Sequence, residues 1–441
     1  MSEEKELPKR QLILVGIAVL LTGILLIVKP SHSVFQVNKT INIMDAKVGD
    51  FGSKVLFVKN FGGKGDETFS DVSSTADGGY VAVGWSGSID GDLTGLNKGA
   101  DDGVIVKYDS SGDLLWKKNF GGGTGDRFYD VITTIDDCYV VVGYSRSSDG
   151  DLIGLNKGGQ DAIIVKYDSS GTVVWKKTFG GTSDDEFMGI ATTTDGGYIV
   201  VGDSSSTDGD LAGLNSGPRD AIIVKYDSSG TVLWNKNFGG SGQFYFQSVS
   251  QTSDGGYIAV GQSNSTFSML IIKCDSSGNY IWEIGYDATY PNDSYDIVAT
   301  SDGKYIVVGS NKSSHKAAIL KIDNSGNVFW SSDFGGSGAE SFYDVATTSD
   351  GGCIAVGRSN SSDGDLTGLN KGYEDAIIVK YDVSGNLVWK KTFGGNYTDQ
   401  FNGVVTTSDG SYVAVGVSTS TDGDLAGLNK GQSDAIIFKG K

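Results

Sequence analysis

The sequence predicts an all-β fold, a seven-bladed β-propeller of four-stranded antiparallel blades preceded by one N-terminal transmembrane helix. Three observations predict it: a repeat with seven copies, four strand-like segments in each copy, and one uncharged apolar run before the repeats. The 66 glycines and 4 prolines among 441 residues are also typical of a repetitive fold with many tight turns.

The apolar run extends from Leu12 to Val28 and contains no charged residue. As a helix it would be about 26 Å long, at the short end of what spans a bilayer. More basic residues precede the run than follow it, so we expect the bulk of the chain on the extracytoplasmic side. The predicted segments are a cytoplasmic tail over 1–10, a transmembrane signal anchor over 11–28 and a linker over 29–52. The alternative is a signal peptide cleaved before Val34, which would release a secreted protein.

Seven repeats fill residues 53–441. Each repeat contains four short segments rich in β-branched and aromatic residues, which we interpret as strands. The turns D-G-G and D-S-S-G join the first two and the last two strands as hairpins. The second segment, Y-(I/V)-x-V-G, recurs at intervals of 59 or 48 residues, beginning at Tyr80, Tyr139, Tyr198, Tyr257, Tyr305, Cys353 and Tyr412.

The two ends of the repeat region complement each other. The last segment, DAIIFKGK, corresponds to a third strand, whereas a lone fourth strand, Lys54 to Asn60, precedes the first complete repeat. We therefore expect the N-terminal strand to complete the last blade and so to close the ring, which leaves no free terminal blade.

Charge and histidine content exclude several classes of function. The formal net charge of −19 makes nucleic acid a poor partner. The sequence contains only His32 and His315, far apart, so it has almost no material for a histidine-rich zinc site or a Ser-His-Asp triad. No residue is singled out as catalytic, and we expect a protein that is not an enzyme.

Five repeats carry a long loop, D-G-D-L-x-G-L-N, and an aspartate at the start of the third strand, while the two 48-residue repeats lack both. Hard carboxylate oxygens on glycine-permitted turns are what Ca²⁺ requires, so calcium is the one candidate cofactor. The same residues could equally bond loop amides without any metal. The candidate metal ligands are Asp90, Asp92, Asp102, Asp149, Asp151, Asp161, Asp208, Asp210, Asp220, Asp363, Asp365, Asp375, Asp422, Asp424 and Asp434.

A ligand site should break the repeat, because seven copies of one side chain cannot all serve a single site. Trp85 stands before the first long loop, at a position where no other repeat has tryptophan, and could stack on a ligand. The remaining departures cluster in the fourth and fifth repeats, next to the two missing loops. These further candidate ligand-binding residues are Phe244, Tyr245, Tyr286, Tyr290 and Asp293.

The segments T-x-D-G-G-Y-I-V-x-G, D-A-x-I-V-K-Y-D and G-x-x-x-W-x-K-x-F-G-G resemble those of bacterial cell-surface β-propeller repeat families, over residues 53–441. The D-x-x-G-x-x-x-W element is also similar to that of quinoprotein-type propellers, but it is one residue shorter and no quinone-site residues match. The resemblance implies a fold and a surface location, and little about biochemistry.

These observations favour a membrane-anchored, extracytoplasmic propeller that is held in the membrane by residues 11–28. It would act as a non-catalytic binding or adhesion module, with a protein or a glycan on its acidic loop face and with calcium dependence if the aspartate loops bind metal. One alternative is a carbohydrate-active enzyme that uses carboxylates near the fourth and fifth blades. Another is an envelope-assembly scaffold.

Overall fold

The computed structural model describes residues 54–263, 268–285 and 293–441, and these form a seven-bladed β-propeller. Twenty-eight strands make seven four-stranded antiparallel sheets, as predicted. Neighbouring blades pack through their first strands, and those of the first and last blades pack together in the same way. The predicted cytoplasmic tail, signal anchor and linker lie outside the described residues. Within the described ranges, no helix has the length and apolar character needed to cross a membrane.

Each blade contributes one strand to the wall of a central channel, followed by two buried strands and one outer strand. The innermost strands are β2 (Glu67–Ser74), β6 (Asp126–Thr133), β10 (Asp185–Thr192), β14 (Phe244–Gln251), β18 (Asp293–Ala299), β22 (Glu340–Thr347) and β26 (Asp399–Thr406). The second strands are β3 (Tyr80–Ser86), β7 (Tyr139–Ser145), β11 (Tyr198–Ser204), β15 (Tyr257–Ser263), β19 (Tyr305–Asn311), β23 (Cys353–Ser359) and β27 (Tyr412–Ser418).

The third strands are β4 (Asp102–Tyr108), β8 (Asp161–Tyr167), β12 (Asp220–Tyr226), β16 (Ser268–Cys274), β20 (Lys316–Ile322), β24 (Asp375–Tyr381) and β28 (Asp434–Gly440). The outer strands of the first six blades are β5 (Leu114–Phe120), β9 (Val173–Phe179), β13 (Val232–Phe238), β17 (Tyr280–Ile284), β21 (Val328–Phe334) and β25 (Leu387–Phe393). In the seventh blade, β1 (Val55–Phe61) takes the outer place and pairs antiparallel with β28, with Phe61 opposite Ala435.

The propeller has two faces, which we name by their connections. The loop face carries the starts of the innermost strands and the five long loops, and each long loop contains one 3₁₀ turn. These turns are Gly91–Leu93, Gly150–Leu152, Gly209–Leu211, Gly364–Leu366 and Gly423–Leu425. The turn face carries the D-G-G and D-S-S-G hairpins.

The core lies between the blades, where the apolar second and third strands of one blade face those of the next. In the first six blades the tryptophan of the outer strand packs against the following blade, and in the seventh Phe57 of β1 takes its place against Gly112. The indole N–H of Trp116 donates a hydrogen bond to the carbonyl of Ser169, 3.2 Å away. Its ring lies against Gly171, where a β-carbon would be 2.9 Å from the ring and where φ is +78°. Each of these tryptophans is therefore part of a joint between blades.

Candidate functional site

The long loops of the loop face bond the chain segment that enters their own blade. In the first blade, Asp90 Oδ1 accepts a hydrogen bond from the N–H of Lys64 at 2.8 Å. Asp92 Oδ2 accepts one from the N–H of Gly62 at 3.0 Å. The other four long loops repeat both bonds, through Asp149 and Asp151, Asp208 and Asp210, Asp363 and Asp365, and Asp422 and Asp424.

The second aspartate of the loop also pairs with a lysine from the long loop of the preceding blade, and we call this ion pair the interblade latch. Lys430 Nζ of the seventh blade lies 2.6 Å from Asp92 Oδ2 of the first. Lys371 Nζ of the sixth blade lies 2.6 Å from Asp424 Oδ2 of the seventh. The remaining latches join Lys98 to Asp151 and Lys157 to Asp210.

The two long loops that are next to a blade without a long loop each lack an interblade latch on that side. The third blade precedes a blade that has no long loop, and it carries Ser216 where the other long loops have lysine. Asp365 follows a blade without a long loop, and its ion-pair partner is Lys390 of its own blade, at a longer 3.7 Å. Lysine therefore occurs only where the next blade offers an aspartate, which indicates that the motif connects blades.

The aspartate at the start of the third strand, which is the third candidate ligand of each long-loop repeat, lies at a buried contact between two blades. Asp102 Oδ2 accepts hydrogen bonds from the N–H of Lys98 at 2.6 Å and from Asn119 Nδ2 at 2.7 Å, while Oδ1 has no partner. A β-carbon on Gly121 would lie 2.4 Å from that Oδ1 and 2.5 Å from Asp126 Oδ2 of the next blade. Only a glycine fits between these two carboxylates.

Such acid pairs recur at three more joints, and the electrostatic cost of burying them is visible in their pKa values. Burial raises the pKa of Asp161 and of Asp375 to about 6, with the acid of the next blade adding to the effect. Asp220 differs because Phe244 occupies the facing position. The pairs are Asp102 and Asp126, Asp161 and Asp185, Asp375 and Asp399, and Asp434 and Glu67.

The structure thus gives each of the fifteen candidate metal ligands a partner within the protein. Across residues 54–263, 268–285 and 293–441, no three acidic, histidine or cysteine side chains come together in a way that could hold a metal ion. The first and second aspartates of each loop bond backbone amides, and the third bonds an amide and lies at a joint. This arrangement favours loop scaffolding, and calcium binding, the alternative, is to be tested by unfolding with added metal.

The candidate ligand residues that the structure describes are dispersed over the loop face. Trp85 lies beneath the guanidinium of Arg127, whose carbon is 4.1 Å from the ring centroid. Phe244 packs against the core between the third and fourth blades. Asp293 is buried and pairs with Lys312 Nζ at 2.8 Å. Tyr245 lies under the guanidinium of Arg219. Tyr286 and Tyr290 lie outside the described residues.

Arginine is concentrated at one place on the propeller. The sequence holds five arginines, and the four that follow residue 10 all lie at the loop-face ends of strands around the channel opening. Each guanidinium lies over an aromatic ring at 4.1 to 5.8 Å from the centroid. The pairs are Arg127 with Trp85, Arg146 with Tyr144, Arg219 with Tyr245, and Arg358 with Tyr343. We call these eight residues the channel mouth.

Acidic residues hold most of these guanidinium groups in place. Arg127 pairs with Asp101 at 2.6 Å, and Arg358 pairs with Glu374 at 3.1 Å. Arg219 pairs with both Glu186 and Asp203. Arg146 is exposed, and its Nε donates to the neutral Gln160 side chain at 3.2 Å.

Below the mouth, every innermost strand carries a β-bulge that turns two successive side chains into the channel. In β6, Phe128 is opposite Gly143 and Asp130 is opposite Val142, so Tyr129 is an extra residue. Tyr129 and Asp130 both line the channel, whereas Phe128 is buried in the core. The bulge recurs in all seven blades.

Four of the seven second bulge positions are aspartates, which we call the channel ring. The other three positions are Gly189, Ser248 and Gly403. A cavity of about 300 Å³ lies here, and its lining includes the tyrosines at the first bulge positions of three blades. The ring residues are Asp71, Asp130, Asp296 and Asp344, and the tyrosines are Tyr129, Tyr295 and Tyr343.

Each ring carboxylate is fixed by an amide of a following blade. Asp71 Oδ2 accepts a hydrogen bond from the N–H of Val131 at 3.1 Å, and Asp130 Oδ2 accepts one from Ile190 at 2.7 Å. On the opposite side, Asp296 and Asp344 accept the corresponding bonds from Val345 at 3.2 Å and from Val404 at 2.5 Å. The backbone therefore holds the four carboxylates in place around the channel.

The ring brings four carboxyl groups together, and no ion pair with lysine or arginine is found for them among the described residues. Burial, followed by the neighbouring charges of Asp130 and Asp344, holds the pKa of Asp71 well above its ordinary value. Burial and Asp296 do the same to the pKa of Asp344. In the described part of the chain, the ion pairs of lysine and arginine go to other acids. Protons retained on the carboxyl groups would therefore reduce the repulsion between them.

A family model described as outer membrane protein assembly factor BamB matches residues 101–289 and, overlapping them, 219–373. Together the two matches cover 101–373, more than half of the 441 residues. The chain belongs to this BamB family.

Individual relatives of this BamB-family chain are distant. The regulatory protein FlaEY of Caulobacter vibrioides is 26% identical over 175 residues, which are 36% of this chain and 18% of that protein. The chain thus spans less than a fifth of the length of that relative. BamB from Moraxella catarrhalis aligns with 88% of this chain and 99% of its own, at 13% identity and a TM-score of 0.44. Hydrazine synthase of Kuenenia stuttgartiensis aligns with 78% and 91%, at 12% identity and a TM-score of 0.50. Similarity at this level is one of fold.

Sequence reasoning missed the channel ring, although this BamB-family chain carries a signal for it. The first strand of most repeats reads F-x-x-V, as in Phe128 to Val131, and both apolar residues are buried. Strict alternation would place residues three apart on opposite faces, so the pattern requires a bulge between them. The two intervening residues then share the other side. That reading would have picked out the four aspartates.

Proposed function

We propose that this BamB-family propeller is a non-catalytic docking scaffold of the cell envelope, anchored by residues 11–28, with a protein partner bound over the channel mouth. The observation that carries the proposal is the mouth itself: every arginine of the propeller lies there, each on an aromatic ring. Arginine, tryptophan and tyrosine are the residue types that contribute most to the affinity of protein interfaces.

The mouth also has the preorganisation that a docking surface needs. Arg219 is fixed by Glu186 and Asp203, and Arg127 by Asp101, so binding costs little side-chain entropy. The exposed Arg146, whose described partner is the neutral Gln160, is available for a carboxylate of the partner. A protein interface therefore fits this surface better than a catalytic cleft does.

The location follows from two further considerations. The apolar run over 11–28 supplies an anchor, and the family description places related chains in outer membrane protein assembly. Of the three functions that the sequence left open, the envelope-assembly scaffold agrees with both. In this proposal the aspartate loops stiffen the ring through the interblade latches and are not themselves the ligand site.

Site-specific photo-crosslinking in cells tests the proposal. A photoreactive amino acid is placed in the full chain at Trp85 or Tyr245 in the mouth, or at the matched exposed controls Leu115 and Phe329 on outer strands. We expect discrete crosslinked products from the mouth positions and none from the controls. Equal crosslinking from both sets, or none from the mouth, would contradict docking there.

Membrane anchoring has its own test. The full chain should stay in the membrane pellet after carbonate extraction, and a variant lacking residues 11–28 should be released into the soluble fraction. Release of the full chain under the same conditions would contradict the anchor.

A further inference from the structure

The cavity below the mouth lacks a counter-charge. About 300 Å³ of space is bounded by four carboxyl groups, and in the described residues the ion pairs of lysine and arginine go to other acids. Burial and the neighbouring carboxyl groups raise the pKa of Asp71, Asp130 and Asp344. Elsewhere on the loop face, acids of comparable position have cationic partners, as Asp203 has Arg219. A cation supplied from outside would reduce the repulsion among these neighbouring carboxyl groups.

The spacing of the ring carboxylates favours an organic cation over a metal ion. A metal ion needs oxygen ligands within about 2.0–2.6 Å of one point, and in the described residues no three acidic side chains converge in that way. The cavity is instead large enough for an organic cation with its attached chain.

The arrangement of the carboxylates favours an ammonium over a guanidinium group. The four acids lie on four different strands, β2, β6, β18 and β22, and so approach the channel axis from different directions. An ammonium group presents three N–H donors in a tripod and can bond several such acceptors, whereas the planar guanidinium matches one carboxylate at a time.

The tyrosines beside the ring suit the chain that carries the ammonium. Tyr295 and Tyr343 form an edge-to-face pair with centroids 5.3 Å apart, and Tyr129 packs against Tyr144 of the mouth at 5.7 Å. Tyr129, Tyr295 and Tyr343 each come directly before a ring aspartate, in strands that begin at the loop face. They therefore lie nearer the loop face than the ring does. Aromatic faces at this level can contact an alkyl chain and attract its cationic end.

We propose that the channel cavity binds a primary alkylammonium group that enters from the loop face. This inference rests on the proposed function, because the source to which we commit is a lysine side chain of the protein docked on the mouth. A free diamine carries the same chemistry and is distinguished from it by the test.

Calorimetric titration of the full chain in detergent tests this site with defined probes. The probes are Nα-acetyl-lysine methylamide, its Nε-acetylated and therefore neutral form, 1,5-diaminopentane and calcium chloride. We expect one lysine probe to bind per chain with release of protons, so that the measured heat of binding differs between buffers of different ionisation enthalpy. The neutral probe and calcium should give no heat of binding at the same site.

The matched variants are Asp71→Asn with Asp344→Asn in the ring, and Asp168→Asn with Asp227→Asn on the turn face, which replace the same number of carboxyl groups. Asparagine can still accept the amide bonds of Val131 and Val404, so the ring variant should fold, as thermal unfolding will verify. We expect the ring variant to bind the lysine probe about tenfold more weakly or worse, and the control pair to bind as the unchanged protein does. Affinity of the unchanged protein should rise with pH, because the raised pKa values of Asp71, Asp130 and Asp344 leave carboxyl groups that ionise as the pH increases.

Four results would overturn the inference: no binding of the lysine probe, equal binding by the ring variant, equal binding of the neutral probe, or affinity that does not depend on pH. If the diamine binds and the lysine probe does not, the ligand of the cavity is a free polyamine. That result would reject a lysine side chain as the source of the ammonium group. Mouth crosslinks without probe binding would reject this inference alone. Probe binding without mouth crosslinks would reject the docking scaffold alone.

Discussion

Lys430 Nζ lies 2.6 Å from Asp92 Oδ2, and this ion pair joins the seventh blade to the first. The same aspartate oxygen accepts the N–H of Gly62, which leads from β1 into the first blade. One carboxylate thus connects two blades and the segment between them. Because such latches occur wherever two long loops are adjacent, they explain why the motif and its lysine occur together.

We predict that Lys430→Ser, which copies the residue at Ser216, lowers the stability of the full chain by about 0.5–1 kcal/mol, the usual range for a partly exposed ion pair. Asp92→Ala should cost more, about 1–3 kcal/mol, because it also leaves the N–H of Gly62 unsatisfied. Thermal unfolding of the detergent-solubilised protein measures both. As the control, Ser216→Lys should gain nothing, since the fourth blade offers no aspartate. If the Asp92→Ala variant is as stable as the unchanged protein, the result would contradict a stabilising role for the latch.

Calcium should leave the stability of the protein unchanged. The carboxylates of Asp90 and Asp92 are occupied by amides and by lysine, so binding a metal would require breaking these bonds. We expect the same unfolding midpoint in excess EDTA, in millimolar calcium and in millimolar magnesium. A rise of several degrees with calcium alone, abolished by Asp90→Asn with Asp92→Asn, would restore the metal interpretation of these loops.

The buried acid pairs predict a specific pH dependence. The pKa of Asp161 is raised to about 6 in the folded protein, above its ordinary value near 3.8. Between about pH 4 and pH 6 the folded state therefore holds a proton that the unfolded chain has released, and stability falls as the pH rises through this window. The Asp161→Asn variant has no ionisable group at this position. Between pH 4 and pH 7 its free energy of unfolding should therefore rise by about 1–2 kcal/mol relative to that of the unchanged protein.

Asp220→Asn is the matched control for this pH effect, because Phe244 faces Asp220 where the other joints have a second acid. If both variants shift the pH profile equally, pairing of acids across the joint is not the cause.

The fold could be predicted from the sequence because its signals repeat seven times. Strand periodicity, hairpin turns and the register of the tryptophans all indicate one packing arrangement. The contact of Lys107 with the turn carboxylate of Asp77, at 2.8 Å, was predictable for the same reason, and it recurs in five further blades.

The site was harder to predict because its residues are neighbours only once the ring has formed. Arg219 and Tyr245 belong to successive repeats, and nothing in their separation shows that one lies over the other. The acids of the channel ring come from four blades, and a bulge that breaks the strand alternation brings them together. Trp85 was correctly identified as unusual, but its ring is covered by Arg127 of the protein itself.

The central claim is that the channel mouth docks a protein partner, and native electrophoresis of solubilised membranes tests it most directly. The full chain should migrate in a complex well above its own 46.3 kDa and detergent. Arg127→Gln with Arg146→Gln, which spares the buried acids around Arg219, should shift it to the position of the free chain. The matched pair Lys118→Gln with Lys177→Gln on outer strands should leave the complex intact. A complex that survives the arginine variant as well as the lysine variant would contradict the claim.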